Sequence, residues 1–219
     1  MVISTQQRKN RGYKQTVGNF SSCKMGTSIW YNSLLQKDFM YWLEFDPDVL
    51  SYATSADTVS YYSNGKQKTY APGFQVVRCD KKQIIEVKFK KIIESDKYRQ
   101  LYPILLNFYT DTEWKFVVLT ESEVQTEPIL SNIKLLYRYA RENFRIDEYE
   151  DCIEIVTSLV PASLAGIGQA LDDRQVRRNV LFKLLFLSLI EIDLKQEINA
   201  TSTIAAVSAK IDWRILFNG

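Results

Sequence analysis

The chain has 219 residues, 46% apolar and 25% charged, a composition that suits one large or two small globular domains. It contains no histidine, which excludes Ser-His and Cys-His catalysis, and Cys23, Cys79 and Cys152 are too far apart for a zinc site. The longest apolar run, Val180 to Ile190, is broken by Lys183 and Ser188 and is too short for a bilayer, so no membrane partner is expected.

With no apolar leader at the N-terminus and an odd number of scattered cysteines, the expected location is a reducing cytoplasm. The formal net charge is +2, unevenly spread. No acidic residue precedes Asp38, whereas Arg8, Lys9, Arg11, Lys14, Lys24 and Lys37 all do, leaving 22 basic against 26 acidic residues in the remainder. Residues 1–28 therefore read as a basic arm, either a solubilising tail or a contact for phosphates, with Arg8, Lys9, Arg11 and Lys14 as the DNA-binding candidates.

A helix should follow. Ser33 is a capping residue, and Leu35, Phe39, Trp42 and Leu43 recur at helical spacing. Asp46-Pro47 should end it, because the residue before proline is pushed out of the α region. Next come two hairpins: "DTVSYY" and "KTYA" around Asn64-Gly65, then "GFQVVRC" and "QIIEVKF" around "DKK". Strand alternation puts Ile85, Val87 and Phe89 on one face and Ile84, Glu86 and Lys88 on the other. A helix over about 96–109, kinked or divided by Pro103, precedes a buried strand at 114–120, a pattern that predicts a parallel strand pair. The polar segment 121–128 is the expected boundary. Beyond it, helices are expected at about 129–143, 148–160, 163–170 and 173–187, and strands near 189–194 and 202–207 would complete a winged-helix shape.

The chemistry rests on "IIEVK". A strand presenting Glu86 and, two residues on, Lys88 on one face offers an oxygen ligand for Mg²⁺ and a cation near an attacking water, which is part of what phosphodiester hydrolysis needs. Alternating Glu and Lys is equally the pattern of an ordinary solvated strand face. The context of helix, proline turn and strand-helix-strand favours the nuclease layout.

In their order, "SLLQKDFMYWLEFDPDVLSY", "YAPGF", "IIEVK" and "ILSNIKLLYRYAR" resemble the TnsA family, the endonuclease subunit of heteromeric transposases. The resemblance covers about residues 10–145 most clearly. It implies an α/β fold: a restriction-endonuclease-like mixed-sheet domain at 29–124 after the arm at 1–28, then a mainly helical winged-helix-like domain at 125–219. It further implies cleavage at transposon 5′ ends with Mg²⁺, and as partners the DNA ends, a TnsB-like transposase and a TnsC-like ATPase. The family's helix glutamate falls on Gln36, its turn aspartate on Gly73, its third position on Glu86 and its lysine on Lys88. Two of three acidic positions are thus replaced, leaving Glu86 as the single metal ligand expected and pointing to lost or impaired cleavage. The Gln-Pro that the family carries after the position of Tyr52 is also missing from "ATSADT".

Asp38, Glu44 and Asp80 are the carboxylates that could substitute, which would give an active Mg²⁺-dependent endonuclease with a relocated ligand. A reading from another class is a winged-helix DNA-binding regulator, with Arg174, Arg177 and Arg178 at the start of its recognition helix.

Overall fold

A computed structural model describes residues 16–54, 58–63 and 65–208. In chain order the elements are β1 (Gly18–Ser21), β2 (Ser28–Tyr31), α1 (Leu34–Phe45), β3 (Val49–Thr54), β4 (Val59–Ser63), β5 (Lys66–Tyr70), β6 (Phe74–Arg78), β7 (Lys82–Val87), α2 (Lys90–Ile93), α3 (Asp96–Thr110), β8 (Trp114–Leu119), α4 (Glu121–Val124), α5 (Ile129–Tyr137), α6 (Ile146–Leu159), β9 (Ala162–Ser163), α7 (Leu164–Asp173), α8 (Arg178–Phe186), β10 (Ile190–Ile192) and β11 (Thr203–Val207). The fold is mixed α/β.

A four-stranded sheet in the order β3-β6-β7-β8 organises the first half. Its first two pairings are antiparallel and β7–β8 is parallel, as the intervening helix α3 predicts. Alternation along β7 sends Ile85 and Val87 into a core with Leu35, Phe39, Met40 and Leu43 of α1, and Ile84 into a second core with Leu101, Leu105 and Tyr109 of α3. The two helices therefore cover opposite faces of the sheet. Pro103 lies inside α3 on an exposed turn and does not divide the helix. The β4–β5 hairpin forms its own two-stranded sheet, with Gly65 at φ +69° supplying the left-handed residue its turn needs.

Ser33 caps α1 by accepting the Gln36 amide N–H at 3.1 Å, and the helix stops at Phe45, just before Asp46-Pro47. Along this helix Gln36, Met40 and Glu44 follow one another at intervals of four and are all buried. Glu44 holds the N-terminal hairpin. Its Oε2 accepts the N–H groups of Cys23 and Lys24, both at 3.0 Å. Its Oε1 accepts the hydroxyls of Ser22 and, at 2.6 Å, Tyr52. Burial, with the charge of Glu44, pushes the Tyr52 phenol up from its usual range. The arm expected over residues 1–28 therefore needs correcting from Gly18 onward: β1 and β2 pair, and Phe20, Ile29 and Tyr31 join the core. Arg8, Lys9, Arg11 and Lys14 lie outside the described residues.

The segment 121–128, expected as a boundary, is also folded. Thr120 and Glu123 form a capping box for α4, Val124 C=O accepts the Trp42 indole N–H at 2.8 Å, and Gln125 donates to Asp38 at 2.8 Å. The second half follows without a loose linker, because Tyr137 of α5 packs its ring against Phe20, Tyr41 and Phe186. It contains α5 to α8 and a three-stranded antiparallel sheet ordered β10-β11-β9. Asn132 of α5 is buried and ties down the loop between β10 and β11: its Nδ2 donates to Leu194 and Gln196 carbonyls at 2.9 and 2.7 Å, and its Oδ1 accepts the Ile198 N–H at 3.1 Å. The three cysteines are free, and burial pushes the Cys152 thiol up to about 12.

Removing the Glu44 carboxylate strands four donors inside the protein. Glu44→Ala is expected to cost at least about 3 kcal/mol. Glu44→Gln should cost less, because it keeps one acceptor while turning an N–H₂ on the remaining donors. Urea unfolding of the two variants checks the ranking.

Candidate functional site

A cavity of about 170 Å³ opens at one end of the four-stranded sheet. Trp30 and Asn32 line it from the end of β2, Gln36 from α1, Thr54 from β3, Pro72 and Gly73 from the turn between β5 and β6, and Glu86 and Lys88 from the end of β7. The four positions singled out in the sequence, Gln36, Gly73, Glu86 and Lys88, thus meet in one place. Three chain features bring them there. The Ser33 cap starts α1 so that Gln36 lies in its first turn, the Pro72 turn sets Gly73 beside β7, and the pleat aims Glu86 away from the Ile85 face.

Glu86 is only 1% exposed, and a carboxylate so buried requires partners. Its Oε1 receives the Lys88 ammonium at 2.6 Å and its Oε2 accepts the Gly73 N–H at 3.1 Å. The Tyr70 hydroxyl comes close to the same carboxylate without hydrogen-bond geometry of its own. Burial first, then the Glu86 charge, pushes the phenols of Tyr70 and Tyr102 up from their usual range, so both stay neutral. Lys88 also lies 5.7 Å from the Tyr98 ring centre, which helps hold its head over the cavity.

Gln36 is 4% exposed. Its Oε1 accepts the Asn32 backbone N–H at 3.0 Å. A backbone N–H can only meet an acceptor, so this bond fixes which way the amide is turned: the Nε2 end faces the cavity. That nitrogen is 3.5 Å from where a Cβ on Gly73 would stand. A side chain at 73 would therefore enter the cavity, although its Cβ would press on the Ile85 carbonyl at 3.1 Å.

This donor set does not fit a catalytic Mg²⁺. Such an ion is held by carboxylate and other oxygens. Glu86 has both oxygens engaged, Gln36 turns a donor inward, and Gly73 offers no side chain. The substitute carboxylates stand elsewhere. Asp38 pairs with Lys134 at 2.6 Å and accepts from Gln125, Glu44 holds the hairpin loop, and Asp80 is exposed beside Lys81. Among the described residues no group of three or more His, Cys, Asp or Glu side chains is placed to hold a metal ion.

Of the three arginines expected at the start of a recognition helix, Arg174 closes α7 as its C-cap, Arg177 is the N-cap of α8 and only Arg178 lies within α8; none is bare. Arg174 pairs with Glu154 at 3.0 Å, Arg177 holds both oxygens of Glu148 at 2.6 and 2.8 Å while stacking on Phe144, and Arg178 pairs with Asp172. The Arg177 hydrogen bond holds the Glu148 carboxyl below its usual range. The Arg174–Glu154 and Arg178–Asp172 pairs are solvent-exposed and contribute little to stability, whereas Glu148 is largely covered beside Arg177. Six of the nine residues of α8 are buried, which leaves Arg178 and Asn179 as its exposed positions.

Sequence reasoning did not find Trp30, Asn32 or Thr54. The first two lie in "SIWYN", whose alternation was legible but was masked by the basic residues before it. Compared with known proteins, the chain matches no family model and no curated protein. No helix among the described residues is long and apolar enough to cross a membrane.

Replacing Lys88 by Met leaves the Glu86 carboxyl buried and without its cation. The expected loss is near the lower end of the ~3–5 kcal/mol for breaking a buried pair, because Lys88 is itself partly solvated. Adding Glu86→Gln to Lys88→Met should recover part of that loss. A double-mutant cycle by guanidinium unfolding measures it, and an additive result would mean the pair is not coupled.

Proposed function

We propose that this chain is a TnsA-like subunit of a DNA transposase complex that binds transposon ends and partner proteins, with 5′-end cleavage lost or strongly impaired. The observation that carries the reading is the convergence of Gln36, Gly73, Glu86 and Lys88 on one cavity. They come from three separate parts of the chain, and the sequence resemblance named the same four positions. The sheet with α1 and α3 on opposite faces, built in the order α1, β3, β6, β7, α3, β8, supports a restriction-endonuclease-like core. In the second half, β9 stands between α6 and α7, and the β10–β11 pair follows α8 and closes the sheet onto β9. This order supports a winged-helix-like unit.

The plain regulator reading is less well supported. A recognition helix needs a free face for the major groove. Here α8 is largely buried, and the loop corresponding to a wing is clamped by Asn132. Such a unit suits docking on other proteins, a TnsB-like transposase or a TnsC-like ATPase, more than reading bases. An active endonuclease with a relocated ligand is disfavoured by the absence of any described carboxylate other than Glu86 from the cavity lining.

The decisive assay incubates end-labelled DNA from the element's termini with the native chain, its TnsB-like partner and Mg²⁺ or Mn²⁺. The expected result is end binding without strand cleavage. Specific 5′ nicking that disappears in Glu86→Ala would overturn the assignment of lost cleavage. The double change Gln36→Glu with Gly73→Asp should create measurable Mg²⁺ binding by calorimetry, at a stability cost of about 1–3 kcal/mol for the tight Cβ at 73. Neutralising Arg8, Lys9, Arg11 and Lys14 together should weaken DNA binding. It should also reduce the slope of log Kobs against log salt by about 0.9 for each phosphate that these side chains no longer neutralise. An unchanged slope would remove the N-terminal segment from the DNA interface.

A further inference from the structure

We propose that the cavity binds a phosphate group of the nucleic-acid backbone directly, without a bridging metal ion, using the Gln36 amide and the Lys88 ammonium as donors. The proposal rests on the DNA-binding reading above and gives its site a different ligand chemistry from a metal-dependent one.

Gln36 supplies the first observation. Its side chain is almost wholly buried, its carbonyl end is used by the Asn32 N–H, and its Nε2 makes no hydrogen bond among the described residues. The side-chain atoms left buried without a partner are the Tyr70 and Tyr102 hydroxyls, so the Gln36 N–H₂ is instead open to the cavity, where water or an oxyanion accepts from it. A glutamate at this position would accept the same Asn32 N–H with one oxygen and turn its other oxygen inward. The side chain's shape is thus kept while the inward-facing group changes from acceptor to donor.

The second observation is the charge of the lining. Glu86 and Lys88 cancel, and no other charged side chain among the described residues lines the cavity. Both Glu86 oxygens are capped, one by the ammonium and one by the Gly73 N–H, which blunts its repulsion of an anion. Lys88 spends one of its three N–H bonds on Glu86 and keeps the others for the opening. Gly73 leaves open the volume that a turn aspartate would fill with negative charge. The cavity, at about 170 Å³, is roughly ten times what a single water needs, so it has room for a phosphate group. Oxyanions take such charge-assisted donors in place of water, and no metal is needed to relieve repulsion when the lining is neutral.

The test uses the full chain in EDTA. Inorganic phosphate, a 5′-phosphorylated oligonucleotide and its unphosphorylated twin are titrated in calorimetry. Fluorescence of Trp30, which stands half exposed at the cavity, is followed in parallel. The expected result is saturable phosphate binding in EDTA that added Mg²⁺ does not strengthen. Tighter binding of the 5′-phosphorylated strand than of its twin would identify a phosphate end as the ligand, and equal binding would identify an internal phosphodiester. Gln36→Glu, isosteric and expected to fold, should weaken binding about tenfold or more, the weight of one charge-assisted donor turned into a repelling oxygen. Binding that appears only with Mg²⁺, or that Gln36→Glu leaves unchanged, would overturn the proposal. The two readings separate in the same experiment. DNA binding that is indifferent to Gln36→Glu would sink the phosphate site and leave the DNA role standing. Phosphate binding without any affinity for DNA would do the reverse.

Discussion

A carboxylate buried at the end of a parallel strand pair is the constraint around which the first half is arranged. A carboxylate at 1% exposure needs hydrogen-bonding and ionic partners, and a cation and an N–H reach Glu86. Lys88 reaches it because strand alternation returns every second residue to the same face, and Gly73 reaches it because the Pro72 turn closes against β7. Satisfying this one group fixes the turn, the end of the strand and the floor of the cavity together. The Tyr70 and Tyr102 hydroxyls on the same side add a dry, neutral wall.

Helix α1 repeats the principle at its other end. Gln36, Met40 and Glu44 form one buried stripe, polar at both ends and apolar in the middle. The first turns an amide into the cavity, and the last holds the β1–β2 hairpin through three donors of its loop and accepts a fourth from Tyr52 of β3. The hairpin in turn carries Trp30 and Asn32 to the cavity edge. A single amphipathic helix thereby sets both the floor and the rim of the site, which couples the site's shape to the stability of the N-terminal segment.

The second half is joined to the first by aromatic packing rather than by a tether. Tyr137 touches rings from β1, α1 and α8 at once. Rings packed across three elements resist relative motion, because any hinge would open apolar surface to water. The Asn132 clamp and the paired arginines then leave this half a closed, ion-laced surface.

Much of the fold was legible in the chain. Periodicity gave α1, the two hairpins, the β7-α3-β8 crossover and the four later helices, the first of them ending at Tyr137 rather than near 143, because each rests on local spacing and on signals such as the Ser33 cap and the Gly65 turn. The resemblance drew attention to Gln36, Gly73, Glu86 and Lys88, and local reading gave the shared face of the last two. The rest required contacts between residues distant in sequence. Basic composition hid the folding of residues 18–28, since the carboxylate that holds them, Glu44, comes some twenty residues later. The continuous α3 defied Pro103 because packing of Leu101 and Leu105 outweighs one missing backbone bond. Above all, the direction of the Gln36 amide could not be read from its identity. Sequence determined that position 36 is an uncharged isostere of glutamate. Only the Asn32 N–H, brought in from the end of β2, decided that its donor end faces the cavity, because a backbone donor admits no other arrangement.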